Sequence, residues 1–357
     1  MGRSIRVSLF CTVVLTLAAS VRAEQPTKEF TKLELQPIDA AILAAFGPKL
    51  GHAIEDEERP LTQEKIDLGR MLFYENRLSK NQQISCNSCH QLDKYGVDNE
   101  STSSGHKSQR GGRNSPTVYN AAGHIAQFWD GRAKDVEEQA KGPILNPIEM
   151  AMKSSESVLQ TLESIPGYVD AFKKAFPQDK QPINYENLAA AIGAFERKLV
   201  TPSRFDQFLA GDKTALKDEE VKGLQTFVAT GCITCHSGTY MGGRMYQKVG
   251  LAAPWPNVKD LGRFEVTKGE GDKHVFKVPS LRNIAKTAPY LHDGSVLLLD
   301  TQVRLMARHQ LAKELSDDDV KSIVTFLNTL TGEIPKEYIK KPQLPASGPK
   351  TPKPELD

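Results

Sequence analysis

Residues 85–90, SCNSCH, and residues 231–236, GCITCH, decide how this 357-residue chain is read. Each places two thiols and an imidazole within five residues, and together they use Cys86, Cys89, Cys232 and Cys235, leaving only Cys11 of the five cysteines. Three chemistries compete for such motifs. A structural zinc site with four thiolates brings together pairs about 15 to 20 residues apart, whereas here the pairs are about 140 residues apart. Dithiol redox chemistry of the thioredoxin type expects a βαβ setting, and neither flank reads that way. Covalent c-type haem needs two thiols for thioether bonds and the adjacent His as an axial iron ligand. The His that closes each motif is what this third chemistry requires. Two covalent haems are predicted, with His90 and His236 as proximal ligands.

The start of the chain, MGRSIRVSLFCTVVLTLAASVRA, has Arg3 and Arg6, an apolar stretch from Val7 to Ala19, and Val21-Arg22-Ala23 as a small-x-small cleavage site. It reads as a secretory leader over 1–23, cut after Ala23, which places the protein in the periplasm, where c-type haem is attached in bacteria. The apolar stretch is short for a membrane span. Cys11 lies inside that stretch, so all four mature cysteines belong to the motifs. Loss of Arg3, Arg6 and Arg22 from 46 basic residues leaves 43 against 44 acidic ones, a mature net charge of −1. The basic character is therefore the leader's, and it argues for no nucleic-acid partner.

A haem needs apolar helices against its faces, and the flanks of both motifs supply them. Before the first, LTQEKIDLGRMLFYENRLS places Ile66, Met71 and Leu72 at helical spacing, with Thr62 as N-cap. Before the second, LKDEEVKGLQTFVAT does the same with Val221, Leu224 and Phe227. A closing helix follows each: NYENLAAAIGAFERKLV, and SDDDVKSIVTFLNTL with a Ser316 to Asp319 capping box. The order helix, C-x-x-C-H, long loop, helix thus occurs twice. The expected fold is mainly α, two cytochrome c-like haem domains in tandem, over 24–199 and 200–334. Short strands are expected only near 244–249 and 274–278, and the Pro/Lys-rich tail 335–357 carries no pattern of regular structure.

Function turns on the sixth ligands, because a His/Met pair favours a high potential and electron transfer, while a position that opens favours substrate chemistry. For the second haem Met306 competes with Met241, Met245, His292 and His309; a core gap-filler is the other reading of Met306. For the first, His106 lies in a polar loop rich in Gly and Ser, where a His is solvated or is a ligand able to leave. Glu149 has a local explanation: Asn146 as N-cap, Pro147 at N1 and Glu149 at N3 resemble a helix start. Trp129 is either core or an electron relay.

Six stretches in order, KNQQISCNSCH (80–90), GHKSQRGGRNSPTVYNA (105–121), QFWDGRAKDVEEQAKGPILNPIEM (127–150), GCITCH (231–236), FKVPSLRNIAKTAPYLHDG (276–294) and VRLMARHQ (303–310), resemble the bacterial dihaem cytochrome c peroxidases. The likeness runs from about residue 60 to 335. It implies an N-terminal low-potential peroxidatic haem with His90 as proximal ligand and His106 as a distal ligand that dissociates on activation. Glu149 would be the acid/base at the open iron, with Gln139 in the same pocket. The C-terminal haem on Cys232, Cys235 and His236 would be the high-potential electron entry, with Met306 as sixth ligand and Trp129 between the haems. The resemblance also implies a calcium ion bound through Asn114 and the carbonyls of Thr287 and Pro289, an oxygen-rich set suited to a hard cation.

The implied reaction is reduction of hydrogen peroxide to water with electrons from a small reduced cytochrome c or cupredoxin, in a homodimer. The competing class is a dihaem electron carrier or redox sensor without turnover. A third reading is a MauG-like protein oxidase; those relatives carry tyrosine where the peroxidases carry methionine, so Met306 favours peroxidase.

Overall fold

The computed structural model describes residues 1–2 and 29–356. The expected leader, apart from Met1 and Gly2, therefore lies outside the described residues. Among the described residues the fold is mainly helical, with a single two-stranded sheet. None of these helices is long and apolar enough to cross a membrane.

The repeated helices form where their sequences place them. Gln63–Phe73 starts at Thr62, whose side chain accepts from the Lys65 amide. Asp218–Thr230 ends at Gly231, where φ of 98° closes the helix in a left-handed cap directly before Cys232. Their closing partners are Tyr185–Glu196, capped by Asn184, and Asp317–Asn328. In the latter the Ser316 hydroxyl accepts from the Asp319 amide and donates to its carboxylate. Both pairs cross at a glycine. A Cβ on Gly69 would lie 1.8 Å from the Ala191 carbonyl oxygen, and one on Gly223 would lie 2.2 Å from that of Ser322. The internal repeat thus extends to its tightest contact, since only glycine lets these backbones approach so closely.

Two buried clusters follow. One joins Leu68, Leu72, Leu162, Phe172, Leu188 and Ile192; the other joins Leu224, Phe227, Ile323, Phe326 and Leu327 with Phe46 from near the N-terminus. Removing a Leu or Phe side chain of this kind from water is worth about 1.5–3 kcal/mol, and that burial holds each helix pair together. The two ends of the chain pack on opposite halves. Leu33, Ile38 and Ile42 lie against the second cluster, whereas Tyr338 stacks on Phe195 at 5.1 Å and donates to its carbonyl. The tail has no helix or strand, yet it stays bound beyond that point: Arg77 donates to the Pro345 carbonyl, and Glu355 pairs with Lys153 at 2.7 Å.

The strands are Tyr246–Lys248 and Val275–Lys277, antiparallel, with Tyr246 opposite Lys277. They belong to the seam between the halves, where the Lys277 amide donates to the Trp129 carbonyl and the Asn114 amide to that of His292. Arg113 reinforces the seam through Asp130 and Asp260.

Candidate functional site

Cys86 and Cys89 open and close a single turn of helix, so both sulfurs and the His90 ring belong to one rigid unit. Cys232 and Cys235 do the same in a tighter turn before His236. Among the described residues all four thiols are unpaired. Burial pushes Cys89 up to about 11 and Cys232 up to about 12, the reverse of the lowered values that make a redox dithiol reactive. Cys86 packs beside the cluster of Phe73 and Phe195, and Cys232 beside that of Leu224 and Phe227, so the pairs do not share one metal.

The two histidines are oriented alike. His90 Nδ1 lies 3.3 Å from the Gly96 carbonyl oxygen, and His236 Nδ1 lies 3.2 Å from that of Met241. Burial lowers the pKa of both rings, that of His236 to about 4. A neutral ring that gives its Nδ1–H to a carbonyl presents the Nε2 lone pair to a metal, the usual outer arrangement of a metal-binding imidazole. The donor set of each motif thus fits a covalently attached haem: two neutral thiols for the vinyl groups and one pre-oriented imidazole for the iron.

Around the first motif, His106 is buried, 5% exposed, rather than solvated as its polar loop would imply. Its backbone amide donates to the carbonyls of both Ile148 (3.0 Å) and Glu149 (2.8 Å). A Cβ on Gly105 would lie 2.0 Å from the Ile148 oxygen, so glycine permits this docking. His106 Nδ1 is buried without a hydrogen-bond partner among the described residues. Burial and the charges of Lys80 and Lys107 lower the pKa of the ring.

The helix start expected at Asn146 is not there. The helix runs Val136–Leu145, and Asn146 is its C-cap. Pro147 follows as a helix stop, and Glu149 sits in a turn. Asn146 takes another role: its Oδ1 accepts from the Ile148 amide, while its Nδ2 donates to Glu149 Oε1 at 2.7 Å. Burial raises the Glu149 pKa, offset in part by the Arg132 charge and the Asn146 hydrogen bond. The carboxylate is close enough to Cys89 to perturb its thiol, which places it beside the first motif. Gln139 lies on the helix that leads to this turn, on a partly buried face.

The second motif opens into a cavity whose walls include Cys232, Cys235, His236, Met306 and Trp129. Of the five ligand candidates, Met306 and His292 line it, whereas Met241 is a fully buried core residue. His309 packs at a tilt against Trp255 instead, and Met245 lends its carbonyl to the Val278 amide. His292 is sandwiched against Phe276 at 4.1 Å, with Trp129 at its edge. Met306 stands on the helix Leu299–Leu311. Trp129 donates its indole N–H to the Asn114 carbonyl. Asn114, Thr287 and Pro289 line the same cavity; Asn114 Nδ2 is occupied by the carbonyls of Glu100 and Ser101, which leaves Oδ1 as its free acceptor.

Sequence reasoning passed over three residues here. Asn146 was assigned to a helix start, although Pro147 equally marks a helix end. His124 and Lys277 were not singled out at all, although a lysine inside a short apolar strand, V-F-K-V, was a readable signal.

A family model described as di-haem cytochrome c peroxidase matches residues 63–214. The cytochrome c551 peroxidase of Pseudomonas aeruginosa is 48% identical over 317 residues, 87% of this chain and 90% of that protein. The cytochrome c551 peroxidase of Nitrosomonas europaea is 48% identical over 296 residues, 82% of this chain and 87% of that one. Among solved structures, a MauG-like protein associated with microbial copper homeostasis superposes with a TM-score of 0.73 at 28% identity, over 82% of this chain and 97% of its own.

Proposed function

The chain belongs to the di-haem cytochrome c peroxidase family, oxidoreductases that act on hydrogen peroxide with two c-type haems, and from that premise we propose a division of labour between its two C-x-x-C-H sites. The first, in a haem domain whose helices lie within 63–199, reduces peroxide; the second, in a tandem haem domain over 200–334 against which Leu33, Ile38, Ile42 and Phe46 also pack, receives electrons one at a time from a small cytochrome c or cupredoxin in the periplasm. The overall reaction takes hydrogen peroxide, two electrons and two protons to two waters.

Cys86, Cys89 and His90 would hold one haem, and Cys232, Cys235, His236 and Met306 the other. When bound, the irons supply the electron transfer and a coordination position for peroxide. The protein supplies the rest. His106 closes the first site at rest, and its departure admits substrate. Glu149 then takes the proton from one peroxide oxygen and returns it to the other, which leaves as water. Asn146 holds Oε1 by its amide N–H, so Oε2 is the oxygen free to move the proton, and Gln139 orients the substrate beside it. Burial, which raises the Glu149 pKa, makes the carboxylate a better proton acceptor. Trp129 lies between the two sites, and calcium at Asn114, Thr287 and Pro289 would stiffen the seam. A homodimer is the proposed assembly.

The observation that carries this reading is the pair of hydrogen bonds from the His106 amide to the Ile148 and Glu149 carbonyls. The removable ligand and the proton carrier are thereby parts of one unit. A pure electron carrier has no use for that coupling. The test is peroxide-dependent oxidation of a reduced small c-type cytochrome by the mature protein with calcium present, assayed fully oxidised and half-reduced. Turnover only after half-reduction is the expected result. An intact two-haem protein without turnover in either state would sink the proposal in favour of a carrier or a protein oxidase.

A further inference from the structure

Lys277 is 8% exposed and lines the cavity of the second motif. Among the described residues no carboxylate pairs with it. Its side-chain partner is His124, from the other half of the chain, whose Nδ1 lies 3.2 Å from Nζ. Because an ammonium can only donate, His124 accepts at Nδ1 and carries its proton on Nε2. That Nε2 is also buried and, among the described residues, without a partner. Gly243 packs directly on the imidazole, where a Cβ would come within 2.4 Å of the ring, and Tyr240 meets it edge-on at 5.5 Å. The ring is thus fixed, and His124 is among the walls of the same cavity.

An unpaired ammonium out of water costs several kcal/mol, and a buried N–H without an acceptor adds to that. Burial alone accounts for the lowered pKa of Lys277, about 8, with no anion offsetting it. A lysine ammonium on the wall of a cavity, held by a neutral imidazole and paired with no carboxylate among the described residues, defines a site for an anion. A haem bound through Cys232 and Cys235 would supply such an anion, a propionate, to the cavity that these cysteines and Lys277 both line. We propose that Lys277 holds one propionate of this haem and that His124, accepting from Nζ at Nδ1, holds the lysine in place, so that as positioning residues the pair ties the propionate to both halves of the chain. The backbone supports this role: the Lys277 amide is fixed to the Trp129 carbonyl and the Ile125 amide to that of Gly243. Neutralising a propionate removes negative charge near the iron, which favours the reduced state, so the pair raises the potential of the electron-entry haem.

This rests on the two-haem reading above, and the experiment separates the two. Haem content by pyridine haemochrome tests that reading: fewer than two haems per wild-type chain contradicts it. Spectroelectrochemical titration of the holoenzyme tests the propionate site, with the higher-potential wave identified as the one that moves in Met306→His. Lys277→Met is expected to make reduction of that haem less favourable by about tenfold in equilibrium constant, about 59 mV for one electron, and to leave the other wave in place. Lys277→Arg keeps the charge and is expected to keep the potential. If Lys277→Met does not load haem, His124→Leu is expected to lower the same potential by a smaller factor. Unmoved potentials in a two-haem protein, a shift confined to the lower-potential wave, or equal shifts in the Met and Arg variants would each overturn the assignment.

Discussion

Residues 104–109 and 299–311 carry the two proposed sixth ligands, and they are built in opposite ways. His106 sits in a single short turn in which Lys107 and Ser108 both adopt positive φ, 55° and 58°. Such conformations cost non-glycine residues on the order of 1 kcal/mol each, and they hold here because Gly105 and the His106 amide are docked on residues 148–149. Among the described residues nothing hydrogen-bonds the imidazole at Nδ1 to fix it. Met306 lies within a regular helix of 13 residues and packs beside Tyr290, Leu291 and Val296. Rotation of a few backbone dihedrals would carry the first ligand away, whereas the backbone that carries the second is held in a packed helix. A strained turn suits a ligand that must leave; a helix suits one that must stay.

The largest expected break in this contrast is Glu149→Gln. It keeps the shape of the side chain and the hydrogen bond to Asn146 while removing the proton acceptor. Peroxide turnover should fall by about 10²–10⁴, with both haems attached and the second site spectroscopically unchanged. Turnover near that of the parent would return Glu149 to a structural role in its turn.

His106→Ala sharpens the contrast from the other side. The oxidised protein should then turn over without prior reduction, and its first haem should lose the six-coordinate low-spin spectrum. Met306→Ala should give no such release from reductive activation, because the second site does not gate substrate. An unchanged low-spin spectrum in His106→Ala would exclude His106 as the ligand.

Beneath the different ligands the two halves share one construction, and the glycine crossings measure how closely. Gly69→Ala forces a Cβ to 1.8 Å from a backbone oxygen, and Gly223→Ala to 2.2 Å. Neither helix pair can accommodate that without parting, so each variant should lose about 3 kcal/mol or less of stability, with Gly69→Ala the worse. Denaturant unfolding of the holoproteins, followed at the haem bands, would show it; midpoints equal to the parent's would mean the crossings are looser than the backbone positions require.

The repeated architecture was legible because it rests on local signals. Caps at Thr62 and Ser316, helical spacing of Leu224 and Phe227, and the C-x-x-C-H motifs all act within a few residues, and the helices formed there. The glycine crossings were visible but not read, since a lone glycine in a helix does not say what it faces. The turn at Asn146 was misread for a physical reason: Asn followed by Pro both starts and stops helices, and only the helix Val136–Leu145 arriving from upstream decides which. His106 looked solvated because its neighbours are polar; its burial comes from residues 148–149, some 40 positions away. The link between Lys277 and His124 spans the seam between the halves, and no local pattern encodes it.

The smallest effect expected is also the most specific to the first site. Arg132 is the main charge that offsets the burial of Glu149, but its side chain is 42% exposed and shared with Asp130, so solvent screens much of its field. Its guanidinium also stacks on Phe128 at 3.4 Å, which fixes where that charge stands. Glu149 must be ionised to accept a proton, so turnover is lost as the pH falls through its pKa. Because burial has raised that pKa, the acid limb of the rate profile should lie above the usual carboxylate range. Arg132→Gln removes a charge that favours the ionised form; the limb should therefore move further toward neutral pH, with the plateau rate at higher pH preserved. Among the described residues that line the second site there is no carboxylate, so the potential of its haem should not follow the same substitution. A limb that stays fixed would show that Arg132 serves Asp130 and Phe128 alone, and that burial by itself tunes Glu149.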